Sequence, residues 1–132
     1  MLKPDNLPPR SEEHTSEGAI SDFNGKAHTA YLGKSSSSYP AGGYCYQYST
    51  SGKSAGEWYL PSAGELTLLW ELQKTGVICK DKQDCFNDFT RKGYWSSSEH
   101  SAESAWYLNF VSGAIVANSK ASNYATRPVA QF

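Results

Sequence analysis

The chain carries almost no excess charge. Twelve Lys and Arg stand against thirteen Asp and Glu, a formal net charge of −1, so no strong field directs it to nucleic acid or to an anionic membrane. Long hydrophobic runs are missing as well. Nothing approaches the roughly 18 apolar residues needed to span a bilayer, and direct membrane insertion is not expected. The opening MLKPDNLPPRSEEHTSEG has no apolar stretch of signal-peptide type. That is compatible with use without Sec export, as in a virion component, or with a leader lost from the sequence. Cysteine is sparse and odd in number, at three. Cys79 and Cys85 bracket the polar loop CKDKQDC, where a disulfide would contribute about 2 kcal/mol. Cys45, inside GYCYQY, reads as a small buried hydrophobe.

Catalytic signatures are absent too. GKSAG (52–56) has the letters of a phosphate loop without its spacing or a following helix. No G-x-S-x-G elbow occurs, and local context suggests no Ser/His/Asp set. His14, His28 and His100 lie in polar contexts without ligand spacing, so each is expected to be a solvated side chain and no metal or other cofactor is expected. Glu99 and Glu103 are near neighbours, but nothing marks them as a tuned acid and base. No catalytic residue is assigned, and an enzyme is not expected.

What the chain has is aromatic residues and turn chemistry. Nine Tyr and four Trp occur in 132 residues; a core consumes some of them, and Tyr also enriches binding surfaces. Residues 1–18 read as an extended arm and residues 19–132 as one domain. SDFNGK (21–26) is a turn in which Asn24-Gly25 tolerates positive φ. Short helices are expected over 27–32 and around Tyr44, Cys45 and Tyr48, and a buried strand over 56–61. Ser62 and Glu65 form a capping box. The helix behind it, to about Lys74, places Leu66, Leu69, Trp70 and Leu72 largely on one face and stops at Gly76.

From Gly93 the pattern changes to strands, expected at 94–98, 105–111, 114–118 and 125–131. Trp106, Leu108 and Phe110 alternate with Tyr107 and Asn109, the period of a half-buried strand. Val111-Ser112-Gly113 is a hairpin signal. Helices followed by an antiparallel sheet define an α+β architecture. Trp58, Trp95, Trp106 and Phe110 are expected in its core.

Several motifs in order carry a resemblance: DFNGK (22–26) with Thr29, WYLPS (58–62), YWSSSE (94–99), AWYLNF (105–110) and RPV (127–129) before a final Phe. Over roughly residues 19–132 the chain resembles the bacterial C-type-lectin-like domains first described at the C-terminus of a collagen-like adhesin. The fold so implied is C-type-lectin-like, two helices packed on a twisted antiparallel sheet. Its formylglycine-generating-enzyme-like variant also carries the variable proteins of diversity-generating retroelements, which act as phage receptor-binding tips or bacterial surface binders. The resemblance implies a fixed framework of Trp95, Trp106, Leu108, Phe110, Gly113, Ile115, Arg127, Pro128 and Val129. It departs from two relatives of that fold. The E-P-N, Q-P-D and W-N-D motifs of calcium-dependent sugar sites do not occur, and every cysteine precedes residue 86, whereas the enzymes need a C-terminal cysteine pair.

The expected function is therefore non-catalytic binding of a protein or glycan on a target-cell surface, from a phage virion or a bacterial surface. An undiversified surface or pilus-tip adhesin is the first alternative and an enzyme relative the second. The binding residues are expected to be His100, Ser101, Glu103, Tyr107, Asn109, Ala114, Val116, Asn118, Ser119, Ser122, Asn123 and Tyr124. Strand alternation turns Tyr107, Asn109, Ala114 and Val116 outward, with loops 100–104 and 118–124 flanking that face. Tyr among short polar residues has the makeup of an adaptable paratope. On this reading the set is dispensable to the core, so that changing Tyr107, Asn109, Asn118, Asn123 and Tyr124 together spares the fold.

Overall fold

The computed structural model describes residues 15–33, 40–77, 93–101 and 103–130. Among them the order is α1 (Ser16–Ala19), α2 (Gly25–Leu32), α3 (Pro40–Gln47), β1 (Trp58–Tyr59), α4 (Ala63–Lys74), β2 (Gly93–Glu99), β3 (Ser104–Asn109), β4 (Ala114–Ser119) and β5 (Val129–Ala130). Two antiparallel sheets result: β2-β3-β4 in sequence order, and β1 with β5. The α+β class holds; among the described residues there are four helices and two sheets, where the sequence pattern gives three helices and the resemblance implies two on a single sheet. Residues 16–18, placed in the arm by sequence, lie in α1, which Thr15 caps by accepting from the Gly18 amide. Residues 1–14, the Cys79–Cys85 pair and Ala102 fall outside the described residues. No described helix is long and apolar enough to cross a membrane.

Helix α4 starts where its capping box stands. The Ser62 side chain receives the Glu65 amide, and the Glu65 carboxylate receives the Ser62 amide at 2.9 Å. Strands β3 and β4 form the expected hairpin. The Asn109 carboxamide oxygen accepts the amides of Val111 (2.9 Å) and Ser112 (3.3 Å), and Gly113 takes φ 79. A Cβ on Gly113 would overlap the Trp70 indole, whose Nε1 donates to the Phe110 carbonyl at 3.2 Å. Gly113→Ala is thus expected to cost about 1–2 kcal/mol for the left-handed backbone and about 1–3 kcal/mol for displacing Trp70. A thermal melt within a degree of the parent's would refute this account of the turn.

The three-stranded sheet is covered on both faces, which its alternation does not announce. On one face α4 supplies Leu66, with Leu69 and Trp70 at the margin, against Tyr94, Leu108 and Phe110. Trp106 joins Ala19 and Ala63 beside them. On the other face, Leu32 of α2 and Ala41 and Cys45 of α3 pack with Leu60 on Trp95 and Ala105. Cys45 is the buried hydrophobe expected, and burial pushes its thiol up to about 12. Trp95, Trp106 and Phe110 are buried as expected. Trp58 is a correction: it is half-buried, with its ring edge-on to Tyr48 at 4.9 Å, because Tyr59 and Leu60 take the inward positions. The last expected strand is also shorter than read; 125 makes one parallel bridge to Tyr94, and only Val129–Ala130 pairs as a strand, with β1.

Candidate functional site

Register decides which side chains share a face. Trp95 stands opposite Tyr107, and Tyr107 opposite Val116; Asn109 pairs with Ala114, and Ala105 with Asn118. Tyr107, Asn109, Ala114, Val116 and Asn118 therefore lie together on the face of Trp95, as the alternation predicts. Coverage grades across that face. Trp95 is buried beneath α2 and α3, Tyr107 is half-buried, and Val116 on the outer strand is 38% exposed. Among the described residues, only the β4 side of the face is open.

Tyr124 closes the boundary between the covered and open parts. Its ring stacks on Tyr107 with centroids 4.0 Å apart and planes at 17°, and meets Trp95 edge-on at 5.0 Å. The Asn118 amide nitrogen donates to the Tyr124 hydroxyl at 2.6 Å. Hydrogen bonding to Tyr124 pushes the Tyr107 pKa above the ordinary tyrosine value, with burial adding to it. Gly93 makes room for the arrangement, since a Cβ there would come within 2.6 Å of the Tyr124 ring. The segment is held in place by paired backbone bonds, Trp95 N–H to the Ala125 carbonyl (2.9 Å) and Ala125 N–H to the Gly93 carbonyl (3.0 Å).

These contacts correct the expectation that the whole set is dispensable to the core. Tyr107 and Tyr124 seal the Trp95 cluster, and Asn109 spends its side-chain oxygen on the hairpin turn. The freely presented members are Ala114, Val116 and Asn123, all exposed; Asn118 is exposed too, but its amide nitrogen holds the Tyr124 hydroxyl and its oxygen accepts the Ser119 amide. His100 is not on this face. Its ring lies edge-on to Trp106 at 5.0 Å, on the α4 side of the sheet, because the β2–β3 connection folds it back. Ser101 is a turn residue whose hydroxyl accepts the amides of Glu103 and Ser104. Ser119 and Ser122 form the turn after β4, the Ser122 amide donating to the Ser119 carbonyl at 2.9 Å. The two turns meet at one end of the face, where the Lys120 amide reaches the Glu103 carbonyl and the Lys120 ammonium pairs with Glu99 at 2.7 Å.

Sequence reasoning missed two features. The first is Tyr44 of α3, 55% exposed. With Asn123, Tyr124, Ala125 and Thr126 it lines an open cleft of about 450 Å³ beside the stacked tyrosines. Its helical spacing to Cys45 and Tyr48 was legible; its approach to residues 123–126 was not. The second is a buried clasp around Asp22. The Asp22 carboxylate meets His28 Nε2 at 3.0 Å, accepts the Ser98 hydroxyl at 2.8 Å and accepts the Asn24 amide at 3.0 Å. Its carbonyl receives the Ser62 hydroxyl and the Gly64 amide.

His28, expected to be solvated, is thus buried and paired. Gly25, read as a positive-φ turn residue, instead starts α2 and lies so close to Leu60 and Glu65 that a Cβ would overlap them. The clasp brings Ser, His and Asp together, but both the hydroxyl and the imidazole bond to the carboxylate. Nucleophile activation needs the imidazole on the hydroxyl. Ser98 is fully buried, and its oxygen also receives the Ala63 amide. This geometry joins the 22–28 segment, the α4 N-terminus and β2. Among the described residues no three His, Cys, Asp or Glu side chains are grouped to hold a metal ion.

The family model described as the Lcl C-terminal domain matches residues 14–130. The chain belongs to that family. No curated protein and no solved structure matches it.

Proposed function

We propose that this chain is a non-catalytic ligand- or receptor-binding domain with a C-type-lectin-like fold, used by a phage or a bacterium to attach to a protein or glycan on a target cell. One observation carries the reading. A stacked Tyr107–Tyr124 pair is held rigidly at the edge of an exposed strip made of Ala114, Val116, Asn118 and Asn123. Rigid aromatic anchors beside short, adaptable polar and apolar side chains have the composition of a paratope. Neither nucleic acid nor a membrane interior is a proposed partner, and no cofactor is invoked.

Retroelement diversification belongs to the same proposal, and the contacts sharpen it. Variable positions would be Ala114, Val116, Ser122 and Asn123, with Asn118 more constrained by its bond to Tyr124, whereas Asn109, Tyr107 and Tyr124 would resist change because they hold the hairpin and the core edge. Sequencing the flanking DNA tests this: a near-identical template repeat should differ at adenines of the first group's codons. Adenine differences concentrated in the codons of Asn109, Tyr107 and Tyr124 would contradict the assignment. With no template repeat, the undiversified surface adhesin becomes the better reading.

Binding itself is tested by replacing Val116, Asn118 and Asn123 together with Asp, Ala and Ala. The Val116 and Asn123 changes are each expected to shift stability by about 0.5 kcal/mol or less and the Asn118 change by about 1 kcal/mol, the net worth of its hydrogen bond to Tyr124, while attachment of the labelled domain to target cells is lost. Attachment that persists at parental strength would place the binding surface elsewhere.

A further inference from the structure

We infer that the cleft between α3 and residues 123–126 is a subsite for one uncharged sugar ring of a cell-surface glycan, with Tyr44 as its stacking wall. The inference rests on the binding role proposed above and names the ligand chemistry of part of that surface. Tyr44 projects from the helix with 55% of its surface exposed, although its neighbours Gly43 and Cys45 are buried. The Tyr48 ring lies 6.1 Å behind it, one helical turn on, and limits its swing. Tyr124 lines the same cleft and is itself held by Trp95, Tyr107 and Asn118. A cleft of about 450 Å³ lined by two tyrosines leaves room for a ring and part of a linkage.

The rest of the lining selects among ligands. Asn123 offers both a donor and an acceptor, Thr126 a hydroxyl, and Ala125 a small surface that lets a ring approach. None of the five described lining residues is charged, so these five offer nothing that compensates a carboxylate or sulfate. A peptide anchor requires a deep apolar pocket for a side chain, whereas this cleft is open and mixes aromatic faces with hydroxyl and amide groups. A pyranose matches that mixture. Its C–H face packs on an aromatic ring, and its equatorial hydroxyls need groups that both donate and accept. Helix α3 lies far from the C-terminal block in sequence, so Tyr44 would give the subsite a constant wall whatever residues occupy Val116 and Asn118.

The test is a nuclear magnetic resonance titration of the isotope-labelled chain with methyl glycosides of neutral hexoses and N-acetylhexosamines. Methyl glucuronide and a capped tyrosine-containing tripeptide serve as comparators. At least one neutral glycoside should give saturable shifts at Tyr44 and residues 123–126, and Tyr44→Ala should weaken them about tenfold with the melt unchanged. Thr126→Val should reduce affinity without loss of the stacking shifts. Saturable shifts at these residues from the glucuronide or the peptide alone would overturn the neutral-sugar assignment, as would shifts that no neutral glycoside produces or that Tyr44→Ala leaves intact. Cell attachment of the Tyr44→Ala chain separates the two proposals. If the Val116, Asn118 and Asn123 replacement abolishes attachment while no glycoside binds the cleft, the binding face stands and the sugar subsite fails.

Discussion

Replacing Asp22 by Ala is expected to destabilise the domain by about 3–5 kcal/mol, since it strands several buried hydrogen-bond partners at about 1–3 kcal/mol each. Asp22 is fully buried, and its carboxylate serves the His28 imidazole, the Ser98 hydroxyl and the Asn24 amide at once. Truncation leaves three polar groups in a space too enclosed for ordinary hydration, and each unmet group carries its own desolvation cost. The damage should spread, because these partners come from the α2 entry and β2, while the Asp22 carbonyl holds Ser62 and Gly64 at the start of α4. Asp22→Asn keeps one acceptor oxygen and should fall between parent and Ala. Urea unfolding reads the result as a lower midpoint at unchanged slope. A loss below about 1 kcal/mol, the net worth of one ordinary hydrogen bond, would show that the clasp does not support the fold.

Trp95→Ala and Trp106→Ala should each cost about 3–5 kcal/mol, yet they should differ in what they couple to. Trp95 lies 5.0 Å from Tyr124 and 6.3 Å from Tyr107, both edge-on. Trp106 faces the other way, toward Ala19, Ala63 and His100. A double-mutant cycle of Trp95→Ala with Tyr124→Ala should therefore give a coupling energy of about 0.5–1.5 kcal/mol. The same cycle with Trp106→Ala should give almost none. Equal couplings would mean that the two faces are not separate packing units, and that the assignment of Tyr124 to the Trp95 side is wrong.

The pairing of those two tryptophans also shows where sequence reading stops. Alternation along 105–111 correctly put Trp106, Leu108 and Phe110 on one face and Tyr107 and Asn109 on the other. It could not say that the second face is itself roofed over half its width. A strand with one face buried and a strand with the other face partly covered by distant helices share the same period. The covering residues, Leu32, Ala41 and Cys45, belong to short helices rich in Gly and polar residues, where periodicity is weak. Consequently Tyr107 and Tyr124 looked like free display positions when they are the rim of a core.

Within the candidate site, the strip Ala114, Val116, Asn118 was legible from period two alone, because β4 is an outer strand whose alternate residues are exposed on that face; the bond from Asn118 to Tyr124 was not. His100 was misplaced because the path of a connection between strands is not encoded by their alternation. Tyr44 was unseen for the related reason that its neighbours in the cleft lie about eighty residues away.

The sequence by itself determined the local features whose partners sit within a few residues: the Ser62–Glu65 cap, the Val111–Gly113 hairpin turn, the order of elements from α2 onward and the inward side of β3. Those rest on backbone geometry and hydrogen bonds that close over one turn. Only the tertiary structure decided the rest. It put Asp22 against His28 and Ser98, laid Tyr124 on Tyr107, turned His100 to the far face and brought Tyr44 beside residues 123–126. Each of these depends on how two segments distant in sequence approach, which is set by packing across the whole sheet rather than by any residue's own preference.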